Sequence, residues 1–172
     1  EPGEDSIANG AVDNATGIAA VLEFAKRFSE IDTQRSIMFL ALTLEESGLL
    51  GSDYFAKYPP INLQNIVAGL NYDAILPTGL THDMVVVGFG ASELEDLLED
   101  ELVKSGRYIN PDPNPEKGYF YRSDHISFAK KGVPVLYADG GFDLVDGGME
   151  IGFILEEQYS LDAYHGVDDE YD

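Results

Sequence analysis

The sequence predicts an α/β domain of three layers. Three observations carry that expectation: apolar runs of strand length, stretches of helical spacing between them, and carboxylates where two of the runs stop. Ser36-Ile37-Met38-Phe39-Leu40-Ala41-Leu42-Thr43-Leu44 carries no charge and reads as a strand buried on both faces, as in a parallel sheet. It ends at Glu45-Glu46-Ser47-Gly48. Both acids therefore fall at the carboxyl end of a strand, where open α/β sheets gather their ligand sites. Ile66-Val67-Ala68-Gly69-Leu70-Asn71-Tyr72 repeats the design and stops at Asp73.

The remaining elements follow in order. Residues 1–12 are polar and contain Gly, and read as a loop. Asp13-Asn14-Ala15-Thr16-Gly17 opens a helix over 17–30, with Ile18, Val21, Leu22, Ala25 and Phe28 at helical spacing and Asp13 and Asn14 at its positive end. A helix near 49–58 must stop before Pro59-Pro60. Met84-Val85-Val86-Val87-Gly88-Phe89 is a strand. Residues 92–104 form an amphipathic helix with Ser92 as N-cap, Glu93 and Glu95 in the first turn, and Leu94, Leu97, Leu98 and Leu102 facing inward. His82 is read as a solvated turn residue. Residues 108–121 contain three prolines and read as an ordered surface loop. Tyr121-Arg122-Ser123-Asp124-His125 leads into a short helix over 126–131, and 132–137 is a further buried strand. After Asp139 the chain is rich in Gly and its periodicity decides nothing.

Composition narrows the function. At 172 residues the chain has the length of one domain; ten Lys and Arg against 32 Asp and Glu give a net charge of −22. That field repels phosphate backbones and anionic membranes, so neither nucleic acid nor a membrane surface is an expected partner, whereas cations are favoured. With 44% apolar and 11% aromatic residues, the chain is a folded domain with an acidic skin rather than an acidic tail. No run is long enough to span a membrane. There is no cysteine, so any metal must be held by oxygen and imidazole.

Four loops carry such donors: Asp13, Glu46, Asp73 and His165, with Glu45 beside them. Carboxylates with imidazole suit zinc or manganese in a catalytic role. A pair of ions bridged by one carboxylate would form a hydrolase centre, with a free carboxylate beside it to carry a proton. Each residue also has a plainer reading. Glu45 and Glu46 fit surface acids, Asp13 fits a helix N-terminal acid, and Tyr164 fits packing. His125 fits either a substrate contact or a structural residue. The closing run from Asp168 to Asp172 fits a solvated face, or acids that orient the His165 ring.

Five motifs in order carry a family resemblance: Gly10-Ala11-Val12-Asp13-Asn14-Ala15-Thr16-Gly17, Leu44-Glu45-Glu46-Ser47-Gly48-Leu49-Leu50-Gly51-Ser52, Leu70-Asn71-Tyr72-Asp73, Tyr121-Arg122-Ser123-Asp124-His125 and Tyr164-His165. Together they resemble the co-catalytic zinc aminopeptidases, a family that also holds glutamate carboxypeptidase, glutaminyl cyclase and the inert transferrin receptor. The resemblance spans nearly the whole chain. It implies a three-layer α/β/α sandwich with a mixed, mostly parallel sheet, and one catalytic domain over 1–172. It implies removal of an N-terminal residue from a peptide substrate by two zinc ions.

By that resemblance Asp13 bridges both ions, Asp73 completes the first site, and Glu46 and His165 complete the second. Glu45 is the general base and acid, and Tyr164 stabilises the oxyanion. Arg122, Ser123, Asp124 and His125 form the substrate-side loop. A carboxypeptidase, a glutaminyl cyclase or an inert binding module of transferrin receptor type is the alternative. The family's first-site His lies upstream of the bridging Asp, whereas His82, His125 and His165 all follow Asp13. The chain is thus expected to be a piece incomplete at both ends, binding metal weakly, chiefly at the second site, with little activity alone. Export to the periplasm or the medium is expected for the whole protein.

Overall fold

A computed structural model describes residues 7–171. The chain divides into two compact units: one holds the residues up to Ala41, Tyr72–Leu80 and those from Phe142 onward, and the other holds Leu42–Asn71 and Thr81–Gly141.

The second unit is built on a sheet of four short strands, β1 (Gly69–Asn71), β2 (Asp83–Val87), β3 (Tyr108–Pro111) and β4 (Val135–Gly140), in the order β1-β4-β2-β3. β1 runs parallel to β4 and β3 parallel to β2, while β2 and β4 are antiparallel, so the sheet is mixed. Its centre is Val86, Leu136 and Ala138, against which Met84, Leu94, Leu98 and Ile109 pack. Each such side chain contributes on the order of 1.5–3 kcal/mol when fully withdrawn from water.

Helix α2 (Leu50–Lys57) ends at Tyr58, ahead of the two prolines, as the sequence requires. It meets α4 (His125–Ala129) through a buried Ser52–Ser127 hydroxyl pair at 3.0 Å and the rings of Phe55 and Phe128, 5.4 Å apart. Helix α3 (Leu94–Lys104) starts two residues later than the sequence indicates, with Glu93 rather than Ser92 in the N-cap position and no side-chain cap bond; the Ser92 hydroxyl accepts the Leu94 N–H at 3.2 Å from just outside the helix. Glu95 closes the preceding turn, its carboxylate accepting the N–H groups of Gly90, Ala91 and Ser92 at 2.7, 3.0 and 3.2 Å. Leu102 is buried, but Leu97 faces solvent instead of the core.

The first unit carries α1 (Ala15–Ser29) and α5 (Gly148–Asp162). The side chain of Asn14 caps α1 by accepting the Gly17 N–H at 2.9 Å. Near the start of α5, Gly152 lies directly against the Phe142 carbonyl, where a Cβ would collide, and Phe142 stacks on Phe153 at 4.7 Å. Among the described residues no helix is long and apolar enough to cross a membrane.

Three expectations are corrected, and one stretch left open by the sequence is filled. Residues 36–44 take no regular structure, and Ile37, Met38 and Leu44 are 44%, 46% and 55% exposed. An apolar run becomes a strand only when a neighbour takes up its N–H and C=O groups, and the four paired strands lie elsewhere in the chain. The expected loop over 108–121 begins with β3, which tolerates Pro111 because it is an edge strand with that proline at its end. The strand expected over 66–72 shortens to β1. The Gly-rich end contains a fifteen-residue helix, α5, whose apolar side chains follow no clear stripe.

Candidate metal centre

In the first unit, the two ends of the chain close on each other. α5 ends at Ala163, whose N–H, like that of Tyr164, is accepted by the Tyr159 carbonyl. The next residues, Tyr164 and His165, stack ring on ring with centroids 3.8 Å apart. His165 Nε2 lies 3.2 Å from Asp13 Oδ2, the ring half exposed and the carboxylate largely covered. At a tetrahedral zinc, imidazole and carboxylate donors at about 2.0–2.2 Å from the ion lie roughly 3.3 Å apart. The observed pair therefore fits two ligands of one ion without rearrangement, and a donor set free of thiolate suits it chemically.

Asp73 is tied to the turn that carries Asp13 through its flanks. The Asn14 side chain donates to the Tyr72 carbonyl at 3.1 Å and accepts the Ala74 N–H at 3.2 Å, tying both neighbours of Asp73 to the residue that follows Asp13. The Asp13–Asn14 peptide itself is cis. The Thr16 hydroxyl donates to the Val12 carbonyl at 2.7 Å and steadies the same turn.

Glu45 and Glu46 belong to the other unit, in a turn closed by the Gly48 and Leu49 N–H groups on the Glu45 carbonyl at 3.0 and 2.8 Å. Glu45 is half-buried and Glu46 exposed, so two adjacent acids face different surroundings. Backbone conformation marks these loops. The non-glycine residues in the left-handed region include Leu44 before Glu45, Ala74 after Asp73, and His165 itself, with φ of 58°, 50° and 58°. Each costs of order 1–3 kcal/mol and persists where the surroundings impose it, which is typical of functional loops.

The Arg122–His125 segment also lies in the second unit. Arg122 is exposed, with its guanidinium over the Tyr119 ring at 5.7 Å. Ser123 is buried and accepts from the Asn71 amide at 2.8 Å. His125 is buried between the rings of Phe120 and Tyr137, at 4.9 and 5.0 Å, and neither ring nitrogen has a hydrogen-bond partner. Burial lowers its pKa from 6.5 to about 4, and the Phe120 carbonyl, near but not aligned as a hydrogen bond, pulls weakly the other way. Burial also raises the Asp124 carboxyl, opposed by the Ser52 hydroxyl.

The neutral His125 ring has a consequence for stability. Below pH 6.5 the unfolded chain binds a proton that the folded chain refuses until about pH 4. The stability conferred is thus complete above pH 6.5 and lost as the pH falls through that window, by about 3 kcal/mol. Asp124 works in the opposite sense, so the histidine is isolated by comparison with a variant. Urea unfolding at several pH values between 7.5 and 4 is expected to show a flatter profile for His125→Gln than for the wild type; parallel profiles would refute the assignment.

Sequence reasoning missed Tyr159, and gave Asp169 only as one of a run of acids that fit either a solvated face or support for the His165 ring. Asp169, grouped with a solvated acidic end, is 2% exposed. Its carboxylate accepts the Val12 and Asp13 N–H groups at 2.8 and 3.0 Å and the Tyr159 hydroxyl at 3.2 Å. Burial first, and then the charges of Asp169 and Asp13, keep the Tyr159 phenol protonated far above its ordinary range. Composition hides such a residue among other acids; its place four residues after His165 was the available signal.

The family model described as Peptidase family M28 matches residues 2–172. A probable leucine aminopeptidase 2 from Aspergillus oryzae is 29% identical over 136 residues, covering 73% of this chain and 26% of that protein. A probable zinc metalloprotease from Pyrenophora tritici-repentis is 38% identical over 68 residues, 40% of this chain and 16% of that protein. Among solved structures, an aminopeptidase from Aneurinibacillus sp. strain AM-1 shares the fold with a TM-score of 0.62 at 20% identity, over 88% of this chain and 39% of that one. The chain thus spans well under half the length of each of these proteins.

Proposed function

This chain belongs to peptidase family M28, and from that premise we propose that it is the zinc-binding part of an aminopeptidase that cleaves the N-terminal peptide bond with two ions. The observation that carries the reading is the Asp13–His165 pair, set at 3.2 Å by residues from opposite ends of the chain. The names of the fungal and bacterial relatives, which include zinc metalloprotease and aminopeptidase, support it.

In this reading Asp13 and Asp73 would hold the first ion, and Asp13, Glu46 and His165 would hold the second. Zinc held there would supply Lewis acidity for a peptide carbonyl and for water. Glu45 would take the proton from the attacking water and deliver it to the leaving amine, a role suited to its half-buried position beside an exposed acid. The Tyr164 hydroxyl donates to the carbonyl oxygen as negative charge gathers there, and its stacking on His165 restricts the ring. Arg122, Ser123, Asp124 and His125 form the substrate-side segment. The pairing of Glu45 with Glu46, together with Asp13 and Asp73, favours two ions over the single ion of a glutaminyl cyclase; a carboxypeptidase would use the same residues, and the leucine-anilide assay separates it from an aminopeptidase.

The test is calorimetric zinc titration with leucine-anilide cleavage, on the 172-residue chain and on a longer natural form containing it. Zinc uptake with hydrolysis in the longer form supports the proposal. Absence of zinc uptake from both would leave a binding module on a peptidase fold.

A further inference from the structure

We propose that Asp169 is a positioning residue for the metal pair: its carboxylate grips the main chain at Asp13 and so sets where the Asp13 side chain meets the His165 ring. The inference rests on the reading of Asp13 and His165 as zinc ligands. Three consecutive N–H groups end on this one residue. Ala11 donates to the Asp169 carbonyl at 3.1 Å, Val12 to Oδ1 at 2.8 Å, and Asp13 to Oδ2 at 3.0 Å.

A carboxylate withdrawn from water is costly unless its oxygens are occupied, and charge-assisted bonds are the stronger kind. The Tyr159 hydroxyl, donating to Oδ2 at 3.2 Å, gives Asp169 a third donor and anchors it to α5. The segment from His165 to Asp169 therefore carries both a ligand and the clamp on its partner ligand, 156 residues away in sequence. His165 holds a left-handed conformation at the start of that segment, with φ of 58°. The distance between the two ligands is thus governed by five residues of one short loop, rather than by packing between distant elements. Asp169 acts on the Asp13 backbone, which differs from the usual carboxylate that supports a ligand histidine through its ring.

Asp169→Asn tests this. It keeps the size but turns an N–H2 toward a backbone N–H. Asp168→Asn removes the same charge one residue earlier at an exposed position and serves as control. Zinc affinity is measured by calorimetry, ligand geometry by the visible absorption of cobalt(II) in place of zinc, and the clamp by hydrogen exchange of the Val12 and Asp13 amides. Asp169→Asn is expected to lower zinc affinity by about 10–100-fold, to alter the cobalt spectrum, and to speed exchange at those two amides while core amides of β2 and β4 stay protected. Asp168→Asn should behave as wild type, and Tyr159→Phe, which keeps the clamp, should fall between the two.

Unchanged zinc affinity in Asp169→Asn with the two amides exposed would overturn the positioning role while leaving the metal reading intact. Amides that stay protected would show that the clamp is absent. No zinc uptake by the wild type would remove the metal reading and this inference together.

Discussion

Asp13→Ala is expected to abolish zinc uptake, whereas Glu45→Gln is expected to leave uptake intact and to lower leucine-anilide hydrolysis by roughly 10²–10⁴-fold, the usual worth of a positioned acid–base group. The two variants separate the ligand from the proton carrier. Asp13 is the carboxylate that meets His165 at 3.2 Å, and in the proposed reading it is the ligand common to both sites, so its loss leaves neither site the three protein ligands usual for catalytic zinc. Glu45 is half-buried while its neighbour Glu46 is exposed, and adjacent residues in a turn direct their side chains differently. Titration and turnover, read on the longest form that hydrolyses the anilide, decide the matter. If Glu45→Gln loses zinc while Glu46→Gln keeps it and loses turnover, the two roles are exchanged.

Gly17→Ala is expected to destabilise the protein by about 1–3 kcal/mol, the range for inserting a methyl group where none fits. In an ordinary helix the same change would stabilise by about 0.5–1 kcal/mol through backbone entropy, so the sign is diagnostic. A Cβ on Gly17 would lie 2.6 Å from the Tyr72 carbonyl oxygen and closer still to the Asn14 side-chain oxygen. Those two groups hold the flanks of Asp73 and the cap of α1. The variant should therefore also weaken zinc binding, because Tyr72 precedes one candidate ligand and Asn14 follows another. Thermal unfolding reads the first effect, at roughly 2–4 °C per kcal/mol for a chain of this size. A rise in Tm would show that the close approach does not hold in solution.

These two variants also show what each level of information supplies. Asp13, Glu45, Glu46, Asp73 and His165 were legible as candidate chemistry because an acidic chain without cysteine places donors at the ends of apolar runs and in ordered motifs. α1, α2, β2 and α3 were legible because local rules suffice for them: 3.6-residue spacing, a proline stop and a β-branched run. The run 36–44 obeyed a local rule too and failed, because strand formation depends on a partner that composition does not reveal. β3 failed the other way: its prolines indicated a loop, and pairing with β2 at the sheet edge made a strand.

The sequence by itself determined the family, the donor types and the helices whose periodicity is strong. Only the tertiary structure decided that His165 meets Asp13, that Gly17 must lack a side chain, that His125 is sealed between two rings, and that Asp169 belongs to the site. The physical reason is separation along the chain. A hydrogen bond between residues 156 apart leaves no periodic trace, and a buried acid is spelled with the same letter as a solvated one.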